Sequence, residues 1–320
     1  MKASRLAILL IAPLLAVEVW LRIGSPDLLN ITHIIKRSDN EIMGYELKPG
    51  ASIVYRGMLY EIPATLIEIS SQGFRDRIFT LDSPHATRLA YVGDSYTFGQ
   101  GLNLKESVPK QLEDLLNSHS SAKYEVMNCG VIGYNLEQEI EFIKERVIPY
   151  HPGIIILSIG PNDIDRKIVI PQNRISNALF YGSYIYRRTL FLINELHKKE
   201  DEVGADFQAR RDGAIRSFRK LRGFLAERQR VVLVIKDFKP WMEPIVNIAK
   251  SNGYPVLDFS KDWRASGDKI IIARQDQHFN ALGAGLIAKR VYDLLMKEVI
   301  KNDDRNIFSR ENAKTLSALS

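Results

Sequence analysis

The sequence predicts an α/β protein with a five-stranded parallel sheet between two layers of helices, a flavodoxin-like three-layer sandwich. From residue 88 onward, five apolar runs read LAYV, YEVMNC, IIILSI, VVLVI and YPVLDF. Between these runs, apolar residues recur every three to four positions, which is typical of helices that connect parallel strands. In open sheets of this class, ligands bind outside the carboxyl ends of the strands. Those strand ends are therefore where functional side chains are expected.

Composition favours one globular domain with additions. The chain has 320 residues, 45% of them hydrophobic, and this length can bury one large core. Its formal charge of +6 is scattered along the chain rather than gathered into one basic stripe, so nucleic acid is not an expected partner. Cys129 is the only cysteine, which excludes an intramolecular disulfide and any cysteine-rich metal site.

Residues 1–23 are predicted to direct the chain to a membrane. Lys2 and Arg5 precede an apolar run over residues 6–17, and the apolar character resumes after Glu18. The small residues that mark a cleavage site are missing, although the span falls short of the ~20 residues of a full crossing. We expect an uncleaved anchor in the inner membrane, with the rest of the chain on the periplasmic or extracytoplasmic side. Secretion after cleavage of a signal peptide is one alternative, and a buried core helix is another, which the terminal position and the basic start disfavour.

Residues 24–87 predict a small β-rich accessory segment. Its short alternating runs, such as SIVYRG and ATLIEIS, are separated by prolines and glycines, which indicates small strands or hairpins. We expect the segment to cover a sheet edge and to lead the chain away from the membrane. Arg75 and Arg77 are predicted to lie on a solvated face or to pair with Asp76.

The predicted main domain spans residues 88–300 and is followed by a polar tail, residues 301–320. An insertion over residues 164–212, with aromatic residues and a charged HKKEDE stretch, interrupts the alternation of strands and helices. It is expected to pack on the core, and a lid or a surface that lies on the membrane are the alternatives. The predicted helical faces are Val108, Leu112, Leu115 and Leu116; Leu136, Ile140, Ile143 and Val147; Ile215, Phe218, Leu221 and Leu225; and Ile287, Val291, Leu294 and Leu295.

The first strand of this domain delivers a candidate nucleophile. The apolar run in RLAYVGDSYTFGQG breaks at Gly93 and places Asp94 and Ser95 at its end. A serine hydroxyl becomes a nucleophile at neutral pH only when a base takes its proton and donors stabilise the resulting oxyanion. The glycines near Ser95 fit neither a dinucleotide fingerprint nor the elbow of the α/β-hydrolases, where Thr97 replaces the second glycine.

His278 is the candidate base. It lies in a predicted loop between the last strand and the final helix, at the same sheet edge as Ser95, whereas the other five histidines lie in the accessory segment or in polar turns and helix ends. Asp276 precedes it by two residues. In an extended segment, side chains two positions apart point to one side, so Asp276 can orient the imidazole.

Two further strand ends offer donors for an oxyanion. Gly133, after the second strand, can bring a backbone N–H close to a ligand because it has no side chain. Asn162, after the third strand, carries a neutral amide that stabilises negative charge without titrating. Four strand ends thus each carry one group suited to acyl transfer.

These four blocks, in this order, resemble those of the SGNH/GDSL hydrolase superfamily. They are Gly93 to Ser95, the glycine block at Gly133, Gly160 to Asp163, and the terminal Asp276 and His278. The resemblance implies that Ser95 is the nucleophile, His278 the base and Asp276 its orienting acid. It also implies an oxyanion hole made by the N–H groups of Ser95 and Gly133 and the side chain of Asn162.

One position departs from the family pattern. The commoner spacing places the acid three residues before the histidine, where this chain has Gln275, which carries no charge. The acid role is therefore assigned to Asp276. Asp94 and Asp163 are expected to make local hydrogen bonds that fix their two loops.

The resemblance implies a serine esterase that cleaves an acyl ester through an acyl-enzyme, with no metal or organic cofactor. An exported position indicates an acylated carbohydrate or lipid of the cell envelope as substrate, for example a sugar O-acetyl group. One alternative is an O-acyltransferase that uses the same residues to modify a polysaccharide. Another is a catalytically idle, membrane-tethered binding or assembly protein.

Overall fold

The computed structural model begins with an exposed N-terminal helix. This helix, α1, comprises residues 12–20, and the rest of the predicted anchor over residues 1–23 lies outside the described residues, as does the tail over residues 301–320. Within the part of the chain that is described, no helix has the length and hydropathy needed to span a membrane. The structure describes residues 12–20, 31–55, 64–165, 174–183, 185–186, 189–190, 193, 205–227, 229–274 and 276–300.

The accessory segment contains two pairs of short antiparallel strands. These are β1 (Ile35–Arg37) with β2 (Tyr45–Leu47), and β3 (Ser52–Tyr55) with β4 (Thr65–Glu68). The second pair comprises the SIVY and TLIE runs, which the sequence predicts as strands. Burial alternates along β4, where Thr65 and Ile67 are buried and Leu66 and Glu68 are exposed, so one face of this strand packs on the protein and the other faces solvent.

The main domain is built on a five-stranded parallel sheet, as the five apolar runs predict. The strands are β5 (Thr87–Gly93), β6 (Tyr124–Gly130), β7 (Ile154–Ile159), β8 (Arg230–Ile235) and β9 (Val256–Asp258). Their order in the sheet is β6-β5-β7-β8-β9, which is the flavodoxin-like order 2-1-3-4-5. Gly93 lies opposite Gly130, so the first two strands end side by side at one edge.

Helices whose bounds lie within the described residues follow α1, and those of the main domain cover both faces of the sheet. They are α2 (Ser95–Phe98), α3 (Val108–Ser118), α4 (Leu136–Phe142), α5 (Arg174–Gly182), α6 (Ala205–Phe224), α7 (Glu243–Ser251), α8 (Ser260–Ser266) and α9 (Ala281–Leu294).

Alternate side chains of the strands enter two separate cores. On one face, β5 and β7 pack against α4, α6, α7 and the accessory segment, and on the other face against α3 and α9. The four predicted helical faces are buried in these two cores, with Leu115, Leu225 and Leu294 only partly covered. Cys129 is a free, buried core residue on the first face. The three-layer sandwich predicted from periodicity is therefore confirmed.

The segment before the final helix differs from the prediction. A loop is expected there, and the structure has an antiparallel strand pair, β10 (Ile271–Ala273) with β11 (Asp276–Phe279). The reason is packing: Phe279, opposite Ile271, is buried against Phe259 and Trp263. An apolar anchor at the end of β11 therefore holds an extended backbone just before α9.

The prediction of a solvated face is wrong for Arg75. Its guanidinium is buried and donates hydrogen bonds to the carbonyls of Phe98 and Gly99 at 2.9 and 2.6 Å and of Leu102 at 2.6 Å. Burial lowers the pKa of Arg75 to about 10. Because these carbonyls close the C-terminal end of α2, the accessory segment is tied to the short helix that begins at Ser95.

The neighbouring residues connect the same segment to the sheet edge. Arg77 is half-exposed and pairs with Glu113 on α3 at 2.8 Å. Asp76 is buried, receives the Lys110 ammonium at 2.8 Å and accepts the backbone N–H of Asn128 on β6 at 2.8 Å. Because β6 is the edge strand of the sheet in the described residues, Asp76 satisfies a backbone donor on the open side of this strand.

Replacement of Arg75 by methionine should destabilise the whole fold. The variant removes three hydrogen bonds from a buried, charged donor, although the Phe98 and Gly99 carbonyls each keep a second donor at 3.3 and 3.1 Å. This predicts a loss of ~3 kcal/mol in the free energy of unfolding. Arg77→Met is the matched control: it removes an exposed ion pair and should cost less than about 1 kcal/mol. Urea unfolding followed by circular dichroism measures both, and equal losses in the two variants would contradict this role of Arg75.

Candidate active site

The candidate nucleophile lies at the first turn of α2, directly after β5. β5 ends at Gly93, Asp94 forms the N-cap of α2, and the Asp94 carboxylate accepts the backbone N–H of Tyr96 at 3.1 Å. An aspartate at this position is favourable because it satisfies a backbone donor that the helix leaves unpaired. The hydroxyl of Ser95 is thereby held at the carboxyl edge of the sheet, in a residue that is only 8% exposed.

The candidate base and acid form a hydrogen-bonded chain with this serine. Nε2 of His278 lies 2.7 Å from the Ser95 Oγ, and Nδ1 lies 2.5 Å from the Asp276 Oδ1. Both side chains project from β11, where residues two apart share a face, as the D-x-H spacing predicts. A carboxylate accepts only, so Nδ1 carries the proton and Nε2 is the acceptor that faces the Ser95 hydroxyl.

The electrostatics of Asp276 suit this role. Burial alone would raise the pKa of Asp276, but the hydrogen bond and the charge of His278 hold it below its ordinary value. The carboxyl group therefore stays ionised through neutral pH and stabilises the imidazolium that forms when His278 takes a proton. Gln275, the alternative position for the acid, lies outside the described residues.

Aromatic rings fix the plane of the imidazole. The Tyr96 ring lies 4.9 Å from the His278 ring, and its other neighbours are Phe279 at 5.1 Å and Trp263 at 5.8 Å between ring centroids. The Tyr96 hydroxyl donates to the backbone carbonyl of Gln277 at 3.1 Å, which ties α2 to β11. Burial raises the pKa of the Tyr96 phenol, so it remains a neutral donor. Tyr96 thus connects the nucleophile to the base, because it follows Ser95 in the chain and its ring packs against His278.

The amide of Asn162 reaches the same edge from the turn after β7. Its Nδ2 donates to Asp94 Oδ2 at 2.7 Å, which orients the side chain. An amide nitrogen carries two hydrogens, so the second can be donated to a substrate oxygen. The turn itself is closed by Asp163, whose Oδ2 accepts the backbone N–H of Gly160. The hydrogen bonds expected of Asp94 and Asp163 are therefore present.

Gly133 lies in the turn that follows β6, at the same end of the sheet. Val131 N donates to the Gly93 carbonyl at 3.0 Å, so this turn begins beside the end of β5. Gly133 is partly exposed and has φ of 75°, a left-handed conformation that glycine adopts without strain. The roles of the Gly133 and Ser95 N–H groups as oxyanion donors stay predictions.

Sequence reasoning missed two residues that lie beneath the site. Lys236, directly after β8, is buried, and its Nζ lies 2.7 Å from Asp94 Oδ1 and 4.7 Å from the centre of the Tyr96 ring. Glu139, on α4, is completely buried as well. Both could have been found: Lys236 stands at a fourth strand end, and Glu139 falls on the apolar face that runs from Leu136 to Ile140.

Comparison with known proteins finds similarity only among solved structures. No family model matches the chain, and no curated protein matches it. A crystal structure of an acetyl xylan esterase is 17% identical over 67% of this chain and 100% of its own, with a TM-score of 0.44. A structure described as a putative lipolytic protein of the G-D-S-L family, from Desulfitobacterium hafniense, is 16% identical over 65% of this chain and 99% of its own, with a TM-score of 0.41.

A third similar structure is a family 3 carbohydrate esterase from Clostridium thermocellum. It is 16% identical over 66% of this chain and 96% of its own, with a TM-score of 0.41. Because identities and TM-scores are this low, the function proposed below rests on the geometry of Ser95, His278 and Asp276.

A serine-directed phosphonate should label Ser95, and the rate of labelling should identify the acid. Asp276→Asn leaves the imidazole without a carboxylate and favours the wrong tautomer, so labelling should slow by about 10³-fold. Gln275→Ala, at the alternative position, should label at the rate of the wild type. Intact mass spectrometry with peptide mapping measures both, and the assignment to Asp276 is wrong if the Gln275 variant is the slow one.

Proposed function

We propose that this protein is a serine esterase that cleaves acyl esters through an acyl-enzyme on Ser95. The observation that carries the proposal is the hydrogen-bonded chain from Asp276 through His278 to Ser95, with 2.5 Å and 2.7 Å contacts. Nucleophile, base and orienting acid are thus within hydrogen-bond reach before any substrate binds. The Asn162 amide at the same edge adds a donor for negative charge.

The first half of the reaction forms the acyl-enzyme. The Ser95 Oγ attacks the ester carbonyl carbon while its proton passes to Nε2 of His278, and a tetrahedral oxyanion forms. The Asn162 amide, together with the Ser95 and Gly133 N–H groups, donates to this oxyanion. The carbon–oxygen bond to the leaving group then breaks, and His278 gives its proton to the departing alkoxide. Asp276 remains a carboxylate throughout.

The second half returns the serine to its resting state. Water gives a proton to Nε2 of His278 and its oxygen attacks the acyl carbon, so a second tetrahedral oxyanion forms at the same donors. The bond from this carbon to the Ser95 Oγ breaks, and His278 returns the proton to the serine. The products are the carboxylic acid and the free enzyme. If an alcohol replaces water in this half, the acyl group is transferred instead of hydrolysed.

The substrate class follows from the proposed location. A chain held at the outer side of the inner membrane meets the glycans and lipids of the cell envelope, so we assign an acyl ester of such a molecule, for example a sugar O-acetyl group. Transfer to a sugar hydroxyl is the runner-up, and an idle binding protein is the third possibility. Turnover with and without an acceptor sugar separates these three.

Replacement of Ser95 should abolish ester turnover. Ser95→Ala removes the nucleophile and should lower kcat for nitrophenyl acetate by ~10⁴ or more, since the residual rate comes from the donors and binding alone. Ser183→Ala on the insertion is a matched control and should keep the wild-type rate. Acyl product found on added sugar would identify an acyltransferase. A wild type without turnover and without a phosphonate adduct would overturn the enzymatic proposal.

Membrane attachment is part of the same proposal and is supported by the surface of α1. Its side chains Leu14, Leu15 and Trp20 are 57%, 59% and 66% exposed. The one acid within this apolar run, Glu18, accepts hydrogen bonds from the Ser183 hydroxyl at 3.1 Å and the Ile185 N–H at 3.0 Å. An apolar helix whose carboxylate is paired with the insertion suits insertion into a bilayer better than contact with water.

The full-length chain should bind vesicles of phosphatidylethanolamine and phosphatidylglycerol. Leu14→Asp combined with Leu15→Asp places two charges on the apolar face of α1, which predicts at least about tenfold weaker binding in a sedimentation assay. Ile78→Asp with Leu81→Asp is the matched control, because these exposed apolar residues lie in the accessory segment. Equal binding by both double variants would contradict attachment through α1.

A further inference from the structure

Four ionisable side chains are buried together beneath the candidate active site. They come from four elements: Asp94 after β5, Glu139 on α4, Asp163 in the turn after β7, and Lys236 after β8. None is more than 1% exposed. Charges are removed from water at high cost, so a cluster of this kind is maintained only where pairing compensates for it.

With one ammonium and three carboxylates the cluster would carry a net charge of −2, so burial favours a proton on the carboxyl groups that the ammonium does not pair. One ammonium, Lys236, faces the three carboxyl groups of Asp94, Glu139 and Asp163. Burial lowers the pKa of Lys236, but the three acids raise it above its ordinary value, so it stays charged. Burial raises the pKa of Asp94, whereas Lys236 and the Asn162 amide bring it below the ordinary value. Lys236 and Asp94 are thus an ion pair.

The other two acids hold the proton between them. Burial, reinforced by the charge of Asp163, raises the pKa of Glu139 far above its ordinary value. Burial also raises the pKa of Asp163 to about 7. Both oxygens of Glu139 and Oδ1 of Asp163 are buried without a donor among the described residues. A proton on Glu139 supplies that donor, because a protonated carboxyl group can bond to a carboxylate.

Each half of the cluster touches a group of the proposed site. Asp94, held by Lys236, accepts the Asn162 amide through its second oxygen. Asp163, facing Glu139, accepts the Gly160 N–H and so closes the turn that carries Asn162. Lys236 also packs directly on that turn: a Cβ at Gly160 would lie 2.6 Å from the Lys236 Cε, so a side chain at this position would displace the lysine.

We propose that Lys236 and Glu139 are positioning residues for Asn162, Lys236 by holding Asp94 against the Asn162 amide and Glu139 by sharing a proton with Asp163. This assignment rests on the proposed function, since Asn162 is the oxyanion donor there. Neither residue touches the substrate. Their effect is to keep one N–H of Asn162 aimed at the position where negative charge develops, before the substrate arrives.

A double-mutant cycle tests the action of Lys236 through Asn162. Lys236→Met should lower kcat for nitrophenyl acetate by about 10 to 100-fold, approaching the effect of losing an oxyanion donor, with KM within about twofold. In the Asn162→Ala background, the same change should lower kcat by less than about threefold. Lys239→Met, an exposed lysine three residues on, should change kcat in neither background. Equal reductions by Lys236→Met in both backgrounds would overturn the assignment.

Two substitutions of Glu139 test the shared proton. Glu139→Leu removes the donor to Asp163 and should lower kcat about tenfold, whereas Glu139→Gln keeps a neutral donor and should recover most of that loss. Glu145→Gln, at an exposed position on the π-helical segment that continues α4, is the matched control. A glutamine variant as slow as the leucine variant would contradict the shared proton.

The pH dependence of the free energy of unfolding tests the proton on Glu139 without an activity assay. The pKa of Glu139 is higher in the folded state than in the unfolded state. The stabilisation that its protonated carboxyl group provides is therefore fully present below the unfolded pKa and is lost as pH rises through the folded pKa. Glutamine does not ionise. Urea unfolding from pH 6 to pH 10 should therefore show the wild type losing stability relative to Glu139→Gln, and a constant difference between them would contradict the proposal.

The charged groups around Glu139 are the same in the wild type and in Glu139→Gln. Asp163, Asp94 and Lys236 act on it directly, and from α6 Arg210 donates to the Ile164 carbonyl at 2.8 Å, next to Asp163. All four are present in both proteins, so the difference between wild type and Glu139→Gln reports the proton shared by the Glu139–Asp163 pair.

An NMR measurement separates failure of this inference from failure of the proposed function. The side-chain amide signal of Asn162, identified by its loss in Asn162→Ala, should shift in Lys236→Met and Glu139→Leu and stay in place in Lys239→Met. An inactive wild type with these shifts would overturn the esterase and keep the positioning network. An active wild type whose Asn162 signal is unmoved by either substitution would overturn the network alone. If Lys236→Met does not fold, the Asn162 amide signal in Glu139→Leu decides between these outcomes.

Discussion

The carboxylate of Asp94 is the interaction on which the site depends. It accepts the Tyr96 N–H at the start of α2, the Asn162 amide from the next loop and the Lys236 ammonium from the fourth strand. One buried carboxylate thereby aligns three separate loops at the edge of the sheet. It can do so because Lys236 offsets the cost of burying its charge, and because Asp94 presents two oxygens in fixed directions.

The base reaches this edge by a different route from the nucleophile. Ser95 and Asn162 follow strands of the parallel sheet, whereas His278 and Asp276 project from β11, which pairs only with β10 in the described residues. The position of β11 is set by Phe279, which packs against Phe259 and Trp263. The Tyr96 hydroxyl then joins β11 to α2. Apolar packing thus brings together groups that are 183 residues apart in the chain.

The accessory segment belongs to the same physical unit as the sheet. Its apolar residues share one core with β5, β7 and α4, and Arg75 binds the carbonyls that end α2. Asp76 pairs with the edge strand β6 through the Asn128 N–H. Support for the nucleophile therefore comes from both sides of Ser95, from Asp94 within the sheet and from Arg75 outside it.

The amino-acid sequence by itself determined the five strands, the buried helical faces, and the placement of Ser95, His278, Asp276 and Asn162 at one edge of the sheet, because apolar periodicity and strand-end position are local properties. Tertiary structure alone decided how Arg75, Lys236 and Glu139 are used. A charged side chain is ordinarily predicted to face solvent, and its burial depends on partners distant in the chain, such as the carbonyls at the end of α2 or the carboxylates at the sheet edge. Those partners meet only when the chain has folded.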